Sequence, residues 1–232
     1  MSLPAPAGRP DAASARLPLD VRRLGVVPYA DGLRLQDELV AQRRAGAVPD
    51  TLLLLEHPHV ITLGSRADEA DVLVDEDARR RMGIEVFEVG RGGGVTYHGP
   101  GQLVAYPILD LRTHGRDLHD YLRRLEEVLI RAAGAFDVRA WRRDGLTGVW
   151  TERGKLAAIG VRVSSHWISS HGVALNVAED LRFFETIVPC GIRGEGVTSL
   201  ARELGRPVEI EAAQRAVVEA FAAVFGFEAE VA

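Results

Sequence analysis

The sequence predicts an α+β domain in which helices pack on a mixed sheet, and three observations carry that prediction. Strand and helix patterns interleave early, strands then follow one another without intervening helices, and the end of the chain returns to helix. A doubly wound parallel sheet would keep alternating throughout. The 232 residues suit one such domain, and 47% apolar with 26% charged side chains is the balance of a chain that buries a sizeable core.

Residues 1–16 read as an Ala- and Pro-rich tail without the apolar centre of a secretory signal, so the domain is expected over 17–232. Val21 to Val27 reads as a strand. Tyr29 to Arg44 follows as a helix, with Leu33, Leu35, Leu39 and Val40 near helical spacing. Thr51 to Glu56 and Val60 to Leu63 are short strands parted by His57-Pro58-His59, where proline lacks the N–H a ladder needs and imposes a hairpin or corner. Glu85 to Val89 and Gln102 to Leu111 are strands flanking the densest glycine segment of the chain.

Asp117 reads as an N-cap, and from it Leu118, Tyr121, Leu122, Leu125, Val128, Leu129 and Ala132 recur at steps of three and four, predicting an amphipathic helix. Leu146 to Thr151, Lys155 to Val163 and Trp167 to Val177 read as an antiparallel meander, the first two joined by the turn Glu152-Arg153-Gly154. A short turn near Phe183, an irregular stretch at Pro189-Cys190-Gly191 and helices near Thr198 to Leu204 and Ile210 to Phe225 complete the chain.

A formal charge of -5 argues against a protein built to wrap nucleic acid, and no apolar run approaches the roughly 20 residues that cross a bilayer. Of the 28 basic residues, one is lysine, Lys155, and the rest are arginine. The single cysteine, Cys190, forms no internal disulfide and supplies no thiolate cluster. With no targeting segment in view, a reduced cytoplasmic location is the default expectation.

Three adjacent glycines in Arg91-Gly92-Gly93-Gly94-Val95-Thr96-Tyr97-His98 let the backbone approach a ligand closely. The segment is neither a phosphate loop, lacking a closing lysine with Ser or Thr, nor a dinucleotide fingerprint. A plain turn between strands would not need the polar side chains beside the glycines. In Lys155-Leu156-Ala157-Ala158-Ile159-Gly160 one cation begins a strand of small and apolar residues, suited to the rim of a pocket. Lone cysteines are commonly inert and buried, but Pro189 and Gly191 bracket this one in tight backbone. A thiol of reference pKa about 8.5 is only partly thiolate at neutral pH, and a nearby cation raises that fraction, so Cys190 beside Lys155 would make an activated nucleophile for acyl groups. His171-Gly172-Val173-Ala174-Leu175-Asn176 is a strand open to either a structural or a pocket role. His57 and His59 lie two apart, yet the intervening proline and the missing third ligand argue against zinc.

Taken together, Arg91 to His98, Gly101-Gln102-Leu103-Val104-Ala105-Tyr106, Gly154-Lys155, Ala158-Ile159-Gly160, His171 to Asn176 and Pro189-Cys190-Gly191 resemble, in order and spacing, the lipoyl(octanoyl) transferases, the LipB family. The resemblance runs from about Val21 to Phe225. It implies the α+β fold of biotin and lipoate ligases, no cofactor and no metal. It also implies transfer of an octanoyl group from octanoyl-acyl carrier protein to a lysine of a lipoyl domain. Acceptors would be the lipoyl domains of 2-oxoacid dehydrogenase E2 subunits and the glycine cleavage H protein, and the enzyme would be a monomer. By the same resemblance Cys190 carries the acyl group as a thioester and Lys155 lowers its pKa. The substrate would be lined by Arg91, Gly92, Gly93, Gly94, Val95, Thr96, Tyr97 and His98, by Ala158, Ile159 and Gly160, and by Gly172, Val173 and Ala174. Toward the acceptor amine a general base or an ordered water would be required, a role open to His98 or His171. Two rivals remain at this point: an ATP-dependent lipoate ligase on the same fold, and a noncatalytic module that binds the carrier or the lipoyl domain.

Overall fold

The computed structural model describes residues 17–188 and 196–228; the expected tail, 1–16, lies outside them. Two sheets form the scaffold. The larger contains β1 (Leu19–Val26), β2 (Asp50–Glu56), β6 (Gln102–Ile108), β10 (Ser169–Asn176), β9 (Gly154–Val163), β8 (Leu146–Thr151) and β7 (Trp141–Arg143), in that spatial order. Only β1 and β2 run parallel within it, and every other neighbouring pair is antiparallel. The smaller sheet is β4 (Glu85–Glu88), β3 (Val60–Leu63) and β5 (Val95–His98), with β3 parallel to β4 and antiparallel to β5.

The sequence reading of one mixed sheet thus resolves into two, and β5 lies inside the stretch read as a glycine loop. His57-Pro58-His59 is a corner: it carries the chain from β2 in the large sheet to β3 in the small one. The meander of β8, β9 and β10 forms as expected.

Alternation along the central strands decides what each face of the large sheet covers. Leu52 and Leu54 of β2 with Leu103 and Ala105 of β6 pack on one face against α3 (Leu118–Gly134) and α5 (Ile210–Phe225), whose Leu125, Val128, Leu129, Val217 and Phe221 are buried. Asp117 caps α3, its side chain accepting from the backbone N–H groups of His119 and Asp120. On the opposite face Leu53, Leu55, Val104, Tyr106 and Ala174 meet α1 (Tyr29–Arg44) through Leu35 and Leu39. The small sheet has its own apolar cluster, in which Ile61, Leu63, Val95 and Tyr97 pack on Phe184 and Ile187.

Two short helices complete the fold. The exposed α2 (Glu76–Met82) is capped by Asp75, and α4 (Leu200–Leu204) by Ser199. Among the described residues no helix is long and apolar enough to cross a membrane.

Candidate active site

A cavity enclosing about 490 Å³, its open mouth included, lies at the seam between the two sheets. Its floor belongs to the large sheet: Lys155, Ala158, Ile159 and Gly160 of β9, His171 to Ala174 of β10, and Val104 and Tyr106 of β6. Register places Ala158 opposite Ala174 and Ala174 opposite Val104, so small side chains form a row across three strands. The facing wall comes from Arg91, Gly93, Val95, Thr96 and His98, and Tyr29 of α1 closes one side.

Of the residues named from sequence, Gly92, Gly94 and Tyr97 do not line the cavity. Gly92 ties the wall to the floor, its N–H donating to the Val161 carbonyl at 2.9 Å. Gly94 accepts from Gly64 N–H. Tyr97 points the other way, its hydroxyl 2.6 Å from His59 Nδ1 and its ring stacked on Phe183. Pro189-Cys190-Gly191 lies outside the described residues.

Arg91 is buried and works as a wedge between the sheets. Its guanidinium donates to the Thr62 carbonyl and hydroxyl, each at 2.7 Å, and to the Gly92 carbonyl at 3.1 Å. A β-carbon on Gly160 would lie 3.0 Å from Arg91 Cδ, so the absence of a side chain there admits the wedge.

Lys155 is 9% exposed, with Nζ 5.4 Å from the centre of the Trp150 ring. Its backbone is held on both sides: its N–H donates to the Gly196 carbonyl at 2.9 Å, and its carbonyl accepts from Thr198 N–H at 3.0 Å. These two bonds fasten residues 196–198 to the start of β9. Before Pro189, Val188 N–H donates to the Asp71 carbonyl at 2.7 Å.

Histidines gather near the cavity and are kept uncharged. Burial is the main cause, pulling His98 to about 3 and His57 and His171 to about 4, with Arg91 opposing protonation of His98 and His171. A carbonyl can only accept, so His57 Nδ1 donates to Val27 O at 2.7 Å, and its Nε2 takes the Tyr106 hydroxyl at 2.8 Å. His171 holds a left-handed backbone, φ 55°, unusual for a side chain of its size, and its N–H is fixed by the Gln36 side chain at 2.7 Å. His57 and His59 therefore serve separate partners.

Tyr29 escaped the sequence reading, while Tyr106, Gln102 and Asn176 stood in its motifs without an assigned role. Tyr29 and Tyr106 line the cavity, though each fitted an ordinary helix or strand position. Gln102 and Asn176 join across 74 residues, Nε2 to Oδ1 at 3.0 Å, behind the wall that His98 presents. Only the spatial pairing of β6 with β10 brings those two amides together.

Geometrically, the cavity offers an apolar trough over small residues, one amine at the start of β9 and uncharged imidazoles along its length. This arrangement suits an extended acyl chain handled at one end by acid–base groups.

Comparison with known proteins agrees. The model of the lipoyl protein ligase A/B catalytic domain matches residues 28–222. An octanoyltransferase of Rubrobacter xylanophilus is 54% identical over 91% of this chain and 96% of its own length. Among solved structures, a lipoate-protein ligase A bound with ATP superposes with a TM-score of 0.70 at 15% identity, covering 92% of this chain and 89% of that one. A biotin protein ligase from Aquifex aeolicus bound to biotin and ATP reaches 0.54 at 14% identity, over 90% of this chain and 70% of its own. The fold is that of the lipoate and biotin ligases, and the chain belongs to the lipoyl protein ligase A/B catalytic-domain family, as one of its octanoyltransferases.

Proposed function

We propose that this octanoyltransferase takes its acyl group from octanoyl-acyl carrier protein, holds it as a thioester on Cys190, and passes it to the ε-amine of a lysine on a lipoyl domain. The observation that carries the reading is the position of Lys155, the chain's one lysine, at the start of a trough of small residues and hydrogen-bonded to the backbone just after the Cys190 segment. From Lys155 to Gly160 the floor runs roughly 16 Å along the strand, ample for eight carbons lying over Ala158 and Ala174.

In the first half-reaction the Cys190 sulfur attacks the carrier's thioester carbon, charge develops on the carbonyl oxygen, and the carbon–sulfur bond to the carrier breaks. One thioester replaces another, so no nucleotide is consumed. The proton that the Cys190 thiol gives up is relayed by the Lys155 amine, the one amine among the described residues lining the cavity, to the departing carrier thiolate. In the second, the acceptor amine attacks the acyl carbon and the bond to Cys190 breaks. The proton lost by nitrogen ends on sulfur, giving an amide and a free thiol. His98 and His171, uncharged at neutral pH, each offer a ring nitrogen toward the incoming amine. The natural acceptors on this reading are the lipoyl domains of 2-oxoacid dehydrogenase E2 subunits and the glycine cleavage H protein. The enzyme works as a monomer in the cytoplasm.

The test is intact mass after incubation with octanoyl-acyl carrier protein and no ATP. The expected result is one added octanoyl unit, absent in Cys190→Ser and removed by hydroxylamine, which moves to an added lipoyl domain as a hydroxylamine-resistant amide. Acylation that depends on ATP would turn the reading toward a ligase, and no adduct with or without ATP would leave only a binding module.

A further inference from the structure

The hydrogen bonds behind the His98 wall have a single direction, and backbone carbonyls dictate it. Carbonyls accept and never donate, so where the Asn176 side chain meets the backbone carbonyls of Thr198 at 2.9 Å and Lys155 at 3.5 Å, it presents Nδ2. Its Oδ1 then faces Gln102, whose Nε2 donates to it at 3.0 Å and to the Tyr97 carbonyl at 3.3 Å. The remaining Gln102 oxygen meets His98 Nδ1 at 2.7 Å, and since that oxygen only accepts, Nδ1 carries the proton. An uncharged imidazole has one N–H, so Nε2 keeps its lone pair. That nitrogen has no protein partner among the described residues, and the ring borders the cavity.

We propose that Gln102 and Asn176 are positioning residues that transmit the direction of the Lys155 and Thr198 carbonyls to His98, fixing its tautomer so that bare Nε2 receives an N–H of the acceptor amine. The proposal rests on the acyl-enzyme reading above and adds to it how the second nucleophile is aligned. Accepting one N–H points the amine's lone pair toward the acyl carbon. The opposite tautomer would set donor against donor. His98, Gln102 and Asn176 are all buried, so water does not readily substitute for a missing link. The same two carbonyls belong to the backbone that holds Lys155 against residues 196–198, so the acid–base strand and the amine-binding imidazole are oriented together.

Two measurements test this. Long-range proton–nitrogen NMR of the wild-type enzyme reads the His98 tautomer directly and is expected to show the proton on Nδ1; a proton on Nε2 would overturn the proposal. Gln102→Met and Asn176→Ala, checked for native melting, are then followed through both half-reactions by mass, using octanoyl-acyl carrier protein and a lipoyl domain. Aminolysis of the preformed octanoyl enzyme should slow at least about tenfold more than acylation does, in the range expected for a lost proton-accepting contact. Equal slowing of both steps would reduce the relay to scaffolding and sink the idea. Failure of the wild type to form the Cys190 adduct overturns the underlying acyl-enzyme reading and the amine role of His98 with it, while the tautomer measurement still decides the relay itself.

Discussion

Gly148 makes room for Lys155: a β-carbon on Gly148 would stand 2.8 Å from Lys155 Cε and 3.4 Å from Nζ. Gly148 also has φ of 129°, a conformation L side chains rarely adopt, so this position on β8 excludes other residues twice over. The path of the Lys155 side chain is therefore set partly by the neighbouring strand.

Gly148→Ala is expected to displace the amine and strain β8, with acyl-enzyme formation falling at least about tenfold and stability by about 1–3 kcal/mol. Stopped-time mass spectrometry and thermal melts separate the two effects. A variant that melts early yet acylates at the wild-type rate would show that Lys155 tolerates the displacement.

Lys155→Arg keeps a cation but replaces a compact ammonium with a broad planar group in a buried slot beside Trp150. Turnover should drop by at least about tenfold. Unchanged kcat/KM would remove Lys155 from proton transfer.

Ala174 faces Ala158 and Val104 across the trough floor. Ala174→Leu should move preference to shorter acyl groups, because each methylene denied burial costs about 0.8 kcal/mol, or roughly fourfold in kcat/KM. Octanoyl and butanoyl carriers compared side by side provide the check. Equal losses for both would mean that the chain does not lie over Ala174.

Glu179 is buried, and neither carboxylate oxygen makes a well-formed hydrogen bond, although the N–H groups of Val177 and of Glu179 itself lie near. Burial raises its pKa to about 8 from 4.5. Between those values the folded chain holds a proton that the unfolded chain has released, so this group favours folding at acid pH and progressively less as pH rises toward 8. Glu179→Gln should therefore gain on the wild type by about 4 kcal/mol between pH 4.5 and pH 8, a little below the full linkage of about 1.36 kcal/mol per pH unit because the group is half titrated at each end of that range. Denaturant melts at pH 4.5 and pH 8, the two pKa values, measure it, and parallel curves would place the Glu179 pKa in the ordinary range.

Local signals in the chain carried much of the fold. The three- and four-residue steps of α3 and its Asp117 cap were readable, as was the meander of β8 to β10, whose turns are marked by glycine and polar residues. Strand β5 was not, because Val95 to His98 is only four residues long, follows glycines and gains its identity from pairing with β3. Helix α2 has a cap at Asp75 and a left-handed Gly83 but buries no residue, so it shows no apolar stripe. At the site, motif residues were visible as a cluster, whereas the direction in which Tyr97 points depends on Phe183 and His59, and the amide pair of Gln102 and Asn176 depends on strand register. Sequence spacing records which residues share a strand, not which strands are neighbours.

Because the trough is a seam between two separately laddered sheets, its length and its girth answer to different residues. Length is graded along β9 and β10, one pleat at a time. Girth depends on the gape between the sheets, which the Arg91 guanidinium sets by gripping Thr62 on one side and lying against Gly160 on the other. Chains of a different cross-section, branched or ring-bearing, would thus be admitted by changes at that one spacer and its two footholds, leaving the ruler for carbon number untouched.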